Sequence, residues 1–437
     1  MTRPRGGDSR FASGVGAVFA TAGVAIGLGN IWRFPYMMGR DGGSAFLALY
    51  LVIMAAFGVP ALMCELALGR LARLGPWGAY RRVGAPGAPV LTWLLILTAG
   101  MGASYYAVVI GWVGQESFAM ARAAATATTI PPFDSVKGAG AGQFAALVGV
   151  VALGCGVLGL GVRRGIERSS AILLPLVFLI FLATLARVLT LPGAIDKLGV
   201  FLAPRWGDFT PRTALSALGQ SVFSLGLGGT FMVQYGSYLR EKQSIPATAI
   251  ATVGADLAAA LLAGAIVVPA VLALGMNLAA GPSLLFDVMP GVFAHMPAGA
   301  TVGAGFFAAV FFVAMLSLIA AYEVLAGALA RGLGLSRGRA LLIVFAAECA
   351  LAIPAYLLSR WIEFNDLLWG TTMQPIGSAI AVVALCWCAG RGRALAELRR
   401  SSSLPVPVWL FWWMRVVIPA AILLIVVAGW WDWLSAG

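Results

Sequence analysis

Gly23-Val24-Ala25-Ile26-Gly27-Leu28-Gly29-Asn30-Ile31-Trp32-Arg33-Phe34-Pro35 lies inside the first long apolar segment of the chain. Three glycines, an asparagine, an arginine and a proline fall within thirteen positions, a mixture that a continuous spanning helix avoids. Backbone polar groups at membrane depth must be hydrogen-bonded or must line a cavity. A glycine-rich interruption there leaves carbonyls and amides for a ligand, and half-helix ends of this kind bind cations and carboxylates near the bilayer midplane. The stretch therefore points to a carrier built on broken helices.

The rest of the chain agrees with a membrane setting. Of 437 residues, 61% are hydrophobic and 11% charged, and the mean hydropathy is +0.93. A soluble domain of that size has no way to hide so much apolar surface. Apolar runs of about 20 residues predict eleven spans, near 11–38, 41–69, 88–121, 143–162, 168–191, 216–239, 245–276, 300–330, 338–358, 361–390 and 405–434. The first run is too long for a cleavable signal and reads as a span. The net charge of +12 invites a nucleic-acid reading, but its distribution opposes one. With residues 1–10 as a cytoplasmic segment, nineteen basic residues fall in inside loops and seven in outside loops. That asymmetry places the N-terminus inside and makes the charge a topology signal, aided by anionic lipid. The five cysteines all fall in predicted spans and read as buried side chains without metal.

A second interruption stands in the sixth span, Gly219-Gln220-Ser221-Val222-Phe223-Ser224-Leu225-Gly226-Leu227-Gly228-Gly229-Thr230. A single cluster of this sort also suits close helix packing. Two of them, opening spans 1 and 6, occupy corresponding positions in two five-span halves, which is the signature of an inverted repeat around a central site. The halves read as 11–191 and 216–390, with 405–434 as an eleventh, additional span.

These residues resemble a known family. Gly27 to Tyr36, Gly42-Gly43 and Glu65 to Arg70, Tyr105-Tyr106, Gly219-Gln220 with Phe223-Ser224-Leu225, and Gly165-Ile166-Glu167-Arg168 followed by Pro175 are similar to the signatures of the neurotransmitter:sodium symporters. The resemblance runs over essentially the whole chain. It implies an all-α polytopic LeuT-type fold, with eleven transmembrane helices as a 5+5 inverted repeat plus one. It also implies sodium-driven uptake of an L-amino acid by alternating access, in a multi-pass protein of a bacterial inner membrane. The implied partners are the amino acid and membrane lipid, with no organic cofactor, no nucleic acid and a monomer or weak dimer. The alternatives are a proton-coupled or sodium-independent carrier and a non-transporting sensor. No His-Glu-x-x-His or serine–base constellation supports an enzyme.

The resemblance assigns the substrate carboxylate to Leu28 and Gly29 with Tyr106, where a half-helix end and a phenol can donate, and places Ala25 and Gly27 in the same substrate site. Glycine at 27, where monoamine carriers have aspartate, favours a substrate with its own carboxylate. The side-chain pocket maps to Gly102, Phe223, Gly226, Gly229, Ser317 and Ala321, beside Ser224. Four of those six are Gly or Ala. With each buried methylene worth about 0.8 kcal/mol, a small substrate would bind such a roomy pocket poorly, so the expected side chain is bulky and apolar or aromatic.

One sodium site maps to Ala25, Asn30, Ser224 and Asp256. A mid-membrane carboxylate costs about 2.5–3.5 kcal/mol on insertion scales; a nearby cation offsets that, and the fixed charge of Asp256 implies independence of chloride. A second site maps to Gly23, Ile26, Val313 and Ser317, with Leu316 where the family has a hydroxyl, which puts that ion in question. Arg33 and Asp366 read as the outer gate, with Phe223 as a lid. Asp8 and Arg331 read as a sign-reversed inner gate, and Glu65 as an internal anchor for the span-1 break.

Overall fold

The structure, a computed structural model, describes residues 10–130, 140–281, 283–358, 360–402 and 404–435. Among them every regular element is a helix. In chain order these are α1 (Gly14–Ala25), α2 (Gly29–Arg40), α3 (Gly43–Ala72), α4 (Gly75–Arg82), α5 (Ala88–Thr126), α6 (Ala141–Gly159), α7 (Val162–Val188), α8 (Ala194–Leu202), α9 (Pro211–Ser224), α10 (Phe231–Gly236), α11 (Ile245–Ala273), α12 (Leu284–Ala294), α13 (Gly299–Gly332), α14 (Arg337–Leu357), α15 (Arg360–Arg399) and α16 (Val408–Trp431). Nine are long and apolar enough to cross a membrane, and α1 with α2 forms a tenth, bent by 56°. The short pair α9 and α10 flanks the second interruption, at the position read as span 6.

Local chemistry sets these boundaries. Ser13 caps α1 by accepting from Gly16 N at 2.8 Å, and the Glu167 carboxylate accepts from Ala12 N at 2.7 Å, fixing the start of the helix to α7. α1 stops where Ile26 turns extended. The chain resumes at Gly29 with a wide turn that closes from Phe34 N to Gly29 O, and Pro35, which lacks an amide, follows directly on that widened turn. α9 opens on a reciprocal cap between Thr210 and Thr213 followed by Pro211.

Two features differ from the sequence reading. Short helices α4, α8 and α12 occupy connections read as loops, because none reaches the 18 to 20 residues that the apolar-run criterion detects. α15 extends to Arg399, nine residues past the expected end; Gly390 interrupts it with φ +82°, and Arg393 donates across that interruption to the carbonyl of Ala389 at 2.8 Å. The centre is formed by α1, α5, α9, α10 and α13, with α5 and α13 packed along their length. The outer helices α6, α7, α14 and α16 keep many apolar side chains exposed, as a lipid-facing shell does.

Candidate functional site

The two interruptions face each other across one cavity of about 100 Å³. All twelve residues assigned to substrate line it: Ala25, Gly27, Leu28, Gly29, Gly102, Tyr106, Phe223, Ser224, Gly226, Gly229, Ser317 and Ala321. The Tyr106 hydroxyl accepts from Leu28 N at 3.4 Å, so the phenol sits at the half-helix end. A β-carbon on Gly27 would lie 3.1 Å from Ser317 Oγ and 3.2 Å from Tyr106 OH, and the position therefore has little room for a carboxylate side chain. Asn30 Oδ1 accepts from Gly27 N at 3.0 Å and Gln220 Nε2 donates to Gly29 O at 2.8 Å, so the freed backbone groups are held by neighbouring side chains.

The second interruption is held differently from expectation. Glu65 accepts from Gly228 N at 2.8 Å and thus anchors the break between α9 and α10; no bond from it to the first break occurs among the described residues. The packing of α3 against α10 carries that carboxylate to the second break. Gly226 and Gly228 take left-handed conformations (φ +60° and +84°), which glycine adopts without steric cost. Thr230 adopts φ +63°, an outlier for a β-branched residue. The turn it makes folds the next residue back, and the Phe231 ring comes to lie where a β-carbon on Gly229 would stand. Gly226 is covered by the same ring, with Phe231 Cδ2 at 3.4 Å from its β-carbon position. The glycines at 226 and 229 therefore do not leave open volume, which corrects the roomy-pocket expectation on that side. Open space lies instead beside Gly102, where a β-carbon would meet nothing within 4 Å. Val24, Thr98, Ala99, Ala103, Tyr105, Phe231, Leu318 and Gln374 complete the lining and were not assigned to it from the sequence. Phe231 is aimed there by the left-handed conformation of Thr230, which no local sequence signal announces.

Beside the cavity three side chains converge. Asn30 Nδ2 donates to Ser224 Oγ at 3.0 Å and to Asp256 Oδ1 at 2.8 Å, and Ser224 Oγ donates to Asp256 at 3.0 Å. Asn30 and Asp256 are fully buried, and no ion pair to Asp256 occurs among the described residues. A buried carboxylate without a cationic side chain, beside the Ser224 hydroxyl, offers hard oxygens suited to a monovalent cation; the Asn30 amide nitrogen faces them, while its oxygen is taken by Gly27 N. Ala25 ends α1 at the same corner of the cavity.

A second cluster is made almost wholly of carbonyls. Ser317 Oγ lies 3.0 Å from Val24 O, 3.3 Å from Ile26 O, 3.4 Å from Val313 O and 3.5 Å from Gly23 O. One hydroxyl carries one proton, so the other oxygens face the same small space without a donor from it. Leu316 also abuts Gly23, with its Cδ1 3.2 Å from the β-carbon position. Val24 was not foreseen in this cluster.

The gate residues are separated. The Arg33 guanidinium stacks over the Phe223 ring at 4.3 Å, while Asp366 Oδ1 accepts from Tyr105 OH at 2.9 Å. No ion pair joins Arg33 to Asp366 among the described residues, because each is engaged by an aromatic on its own side of the cavity. On the opposite side, Asp8 lies outside the described residues. Arg331 donates to Leu74 O at 2.8 Å and to Gln234 Oε1 at 3.5 Å. One ion pair at that end joins Arg337 to the buried Glu323 at 2.7 Å, and Glu323 also accepts from Tyr238 OH.

Two interrupted helices around a central cavity, inside a shell of spanning helices, define a membrane carrier of the LeuT-fold class, and not an enzyme. Sequence comparison places it further. The sodium:neurotransmitter symporter family profile matches residues 9–123 and 116–435. The chain is 32% identical over 431 residues to YhdH of Bacillus subtilis, described as an uncharacterized sodium-dependent transporter, with 94% of this chain and 96% of that protein covered. It is 27% identical over 438 residues to a sodium-dependent transporter of Methanocaldococcus jannaschii, covering 94% and 88% of the two. The crystal structure of MhsT in complex with L-phenylalanine superposes with a TM-score of 0.86 at 29% identity, over 97% of this chain and 100% of that one. The chain belongs to the sodium:neurotransmitter symporter family. It is a sodium-dependent, multi-pass membrane transporter of a small-molecule substrate.

Proposed function

We propose that the protein takes up an L-amino acid with an apolar, roughly phenyl-sized side chain, together with sodium, by alternating access. The observation that carries this reading is the cavity itself. Tyr106 and the Gly27–Gly29 break supply donors, Phe231 fills the space beside Gly226 and Gly229, and open space remains beside Gly102. MhsT, which has the same fold, is described with phenylalanine bound. In this reading Asn30, Ser224, Asp256 and the Ala25 carbonyl hold one sodium ion next to the substrate carboxylate. The carbonyls of Gly23, Ile26 and Val313, with Ser317, hold a second. Arg33, Phe223, Asp366 and Tyr105 close the outer side; the cytoplasmic side is closed around Glu323. The negative charge of Asp256 makes chloride unnecessary. The repeats of 11–191 and 216–390 would rock against each other around this fixed site.

The energetics suffice with one ion. A sodium ion moving down a tenfold gradient and ~100 mV supplies about 3.7 kcal/mol, enough for roughly 500-fold accumulation of a zwitterion.

Calorimetric titration of L-phenylalanine, L-tryptophan and glycine into purified protein, in sodium and again in potassium, tests the reading. Phenylalanine binding that requires sodium, with glycine at least tenfold weaker, is the expected result. Equal binding in both ions, or glycine equal to phenylalanine, would overturn it.

A further inference from the structure

A second cavity, of about 680 Å³, lies away from the central site, at the end of the molecule that carries the basic residues. By the charge rule this is the cytoplasmic side. It is lined by Leu71 and Leu74 of α3 and its exit turn, by Trp77, Gly78, Arg81 and Arg82 of α4, and by Arg393 of α15. None of the residues assigned above to sodium or substrate lines it.

Its charge is uncompensated. No aspartate or glutamate occurs between Glu65 and Glu116, or between Asp366 and Glu397; Glu397, one turn beyond Arg393, is paired with Arg70 and Arg400. Arg81, Arg82 and Arg393 are exposed and form no ion pair among the described residues. The Arg81 guanidinium lies 5.5 Å from the Trp77 ring centre, held by cation–π attraction. Arg393 spends two donors on the Ala389 and Cys388 carbonyls and keeps its charge and remaining N–H groups. Trp77 is itself fixed from behind by Gly332, whose β-carbon position is 2.9 Å from the indole.

The apolar wall does not end at the cavity. The Trp77 indole meets Trp93 edge to face at 5.3 Å. Trp93 is 43% exposed and shares one face of α5 with Val90 (72%) and Leu97 (48%), a spacing of three and four residues running along the spanning helix. A ligand seated on the arginines thus has a continuous apolar track beside it, directed into the bilayer. Tryptophans at the level of the headgroups mark the interface. A soluble anion would use the arginines and leave that track idle; an anionic phospholipid uses both.

We propose that this cavity binds an anionic phospholipid of the inner leaflet. Its phosphate lies between Arg81, Arg82 and Arg393, and its acyl chains lie along Val90, Trp93 and Leu97. Each arginine near an anionic surface is worth about fivefold in binding.

Native mass spectrometry of the purified full-length protein tests this, with phosphatidylglycerol and phosphatidylcholine of identical acyl chains added in equal amounts. The wild type should retain phosphatidylglycerol at least tenfold over phosphatidylcholine. The variant R81Q/R82Q/R393Q should lose that preference while still binding phenylalanine in sodium, which shows that it is folded. If the triple variant proves unstable, Arg82→Gln alone must lower the preference severalfold. Equal retention of the two lipids by the wild type, or an undiminished preference in either variant, would overturn the proposal. Displacement of phosphatidylglycerol by millimolar glycerol phosphate with no chain-length dependence would overturn the lipid as occupant and assign the arginines to a soluble phosphate.

Discussion

The Phe231 ring fills the position that a side chain on Gly229 would need, two residues away in sequence and across a left-handed threonine. The far wall of the substrate cavity is therefore a side chain delivered by backbone geometry. Phe231→Ala should open that wall. We expect the ratio of tryptophan to phenylalanine affinity to rise by tenfold or more, because the vacated aromatic volume is refilled only by the larger substrate. Competition of both amino acids against radiolabelled leucine measures it. An unchanged ratio would show that Phe231 does not set the pocket. Gly229→Ala should have the opposite character, with loss of binding for every substrate, since the methyl and the ring have no common space.

Asp256 is the central charge of the first cation cluster. Asp256→Asn keeps the shape and removes the charge. Hydrogen bonds to charged groups contribute about 1.5–3 kcal/mol, so the sodium concentration for half-maximal uptake should rise by at least tenfold. Replacing chloride by gluconate should leave wild-type uptake unchanged. A large loss in gluconate would contradict the charge role given to Asp256.

The first break was legible because glycine, asparagine and proline inside an apolar run violate what a spanning helix tolerates, and the rule acts residue by residue at Gly27, Gly29 and Asn30. Asp256 was legible for the same reason, as an acid where burial is costly. Phe231 was not, since its placement depends on Thr230 taking a conformation that no propensity assigns to a β-branched residue. Glu65 was seen as an anchor but assigned to the wrong break, because which backbone a buried carboxylate meets is decided by helix packing. Arg33 and Asp366, expected to pair, each meet an aromatic of the cavity wall instead of the other, Phe223 and Tyr105 respectively. The interfacial helices α4, α8 and α12 lacked the length that apolar-run reading requires.

The carbonyl cluster around Ser317 suggests a gain-of-function test. Leu316 stands against Gly23, where a hydroxyl would add an oxygen to the cluster. Leu316→Ser should steepen the sodium dependence of uptake and lower the sodium concentration needed, by severalfold. Ser317→Ala should weaken it by a similar factor. If neither variant alters the sodium curve, this cluster does not take part in cation coupling.

At the cytoplasmic end the buried Glu323 accepts from Tyr238 and pairs with Arg337, while Phe11 N donates to Tyr238 O at 3.2 Å and its ring packs on Tyr238 at 5.8 Å. This ties the segment before α1 to the end of α10, and both to α13 and α14. Removing one member of a buried pair is costly, about 3–5 kcal/mol when fully enclosed and less here because the Arg337 side chain is 38% exposed. Glu323→Arg and Arg337→Glu should each cut uptake severalfold. The double variant should recover part of it, since the charges meet again with the signs exchanged. Transport in proteoliposomes, with phenylalanine binding measured alongside to separate folding from movement, decides the matter. Additive losses in the double variant would mean that the two residues stabilise the helices independently and that their pairing does not close the cytoplasmic side.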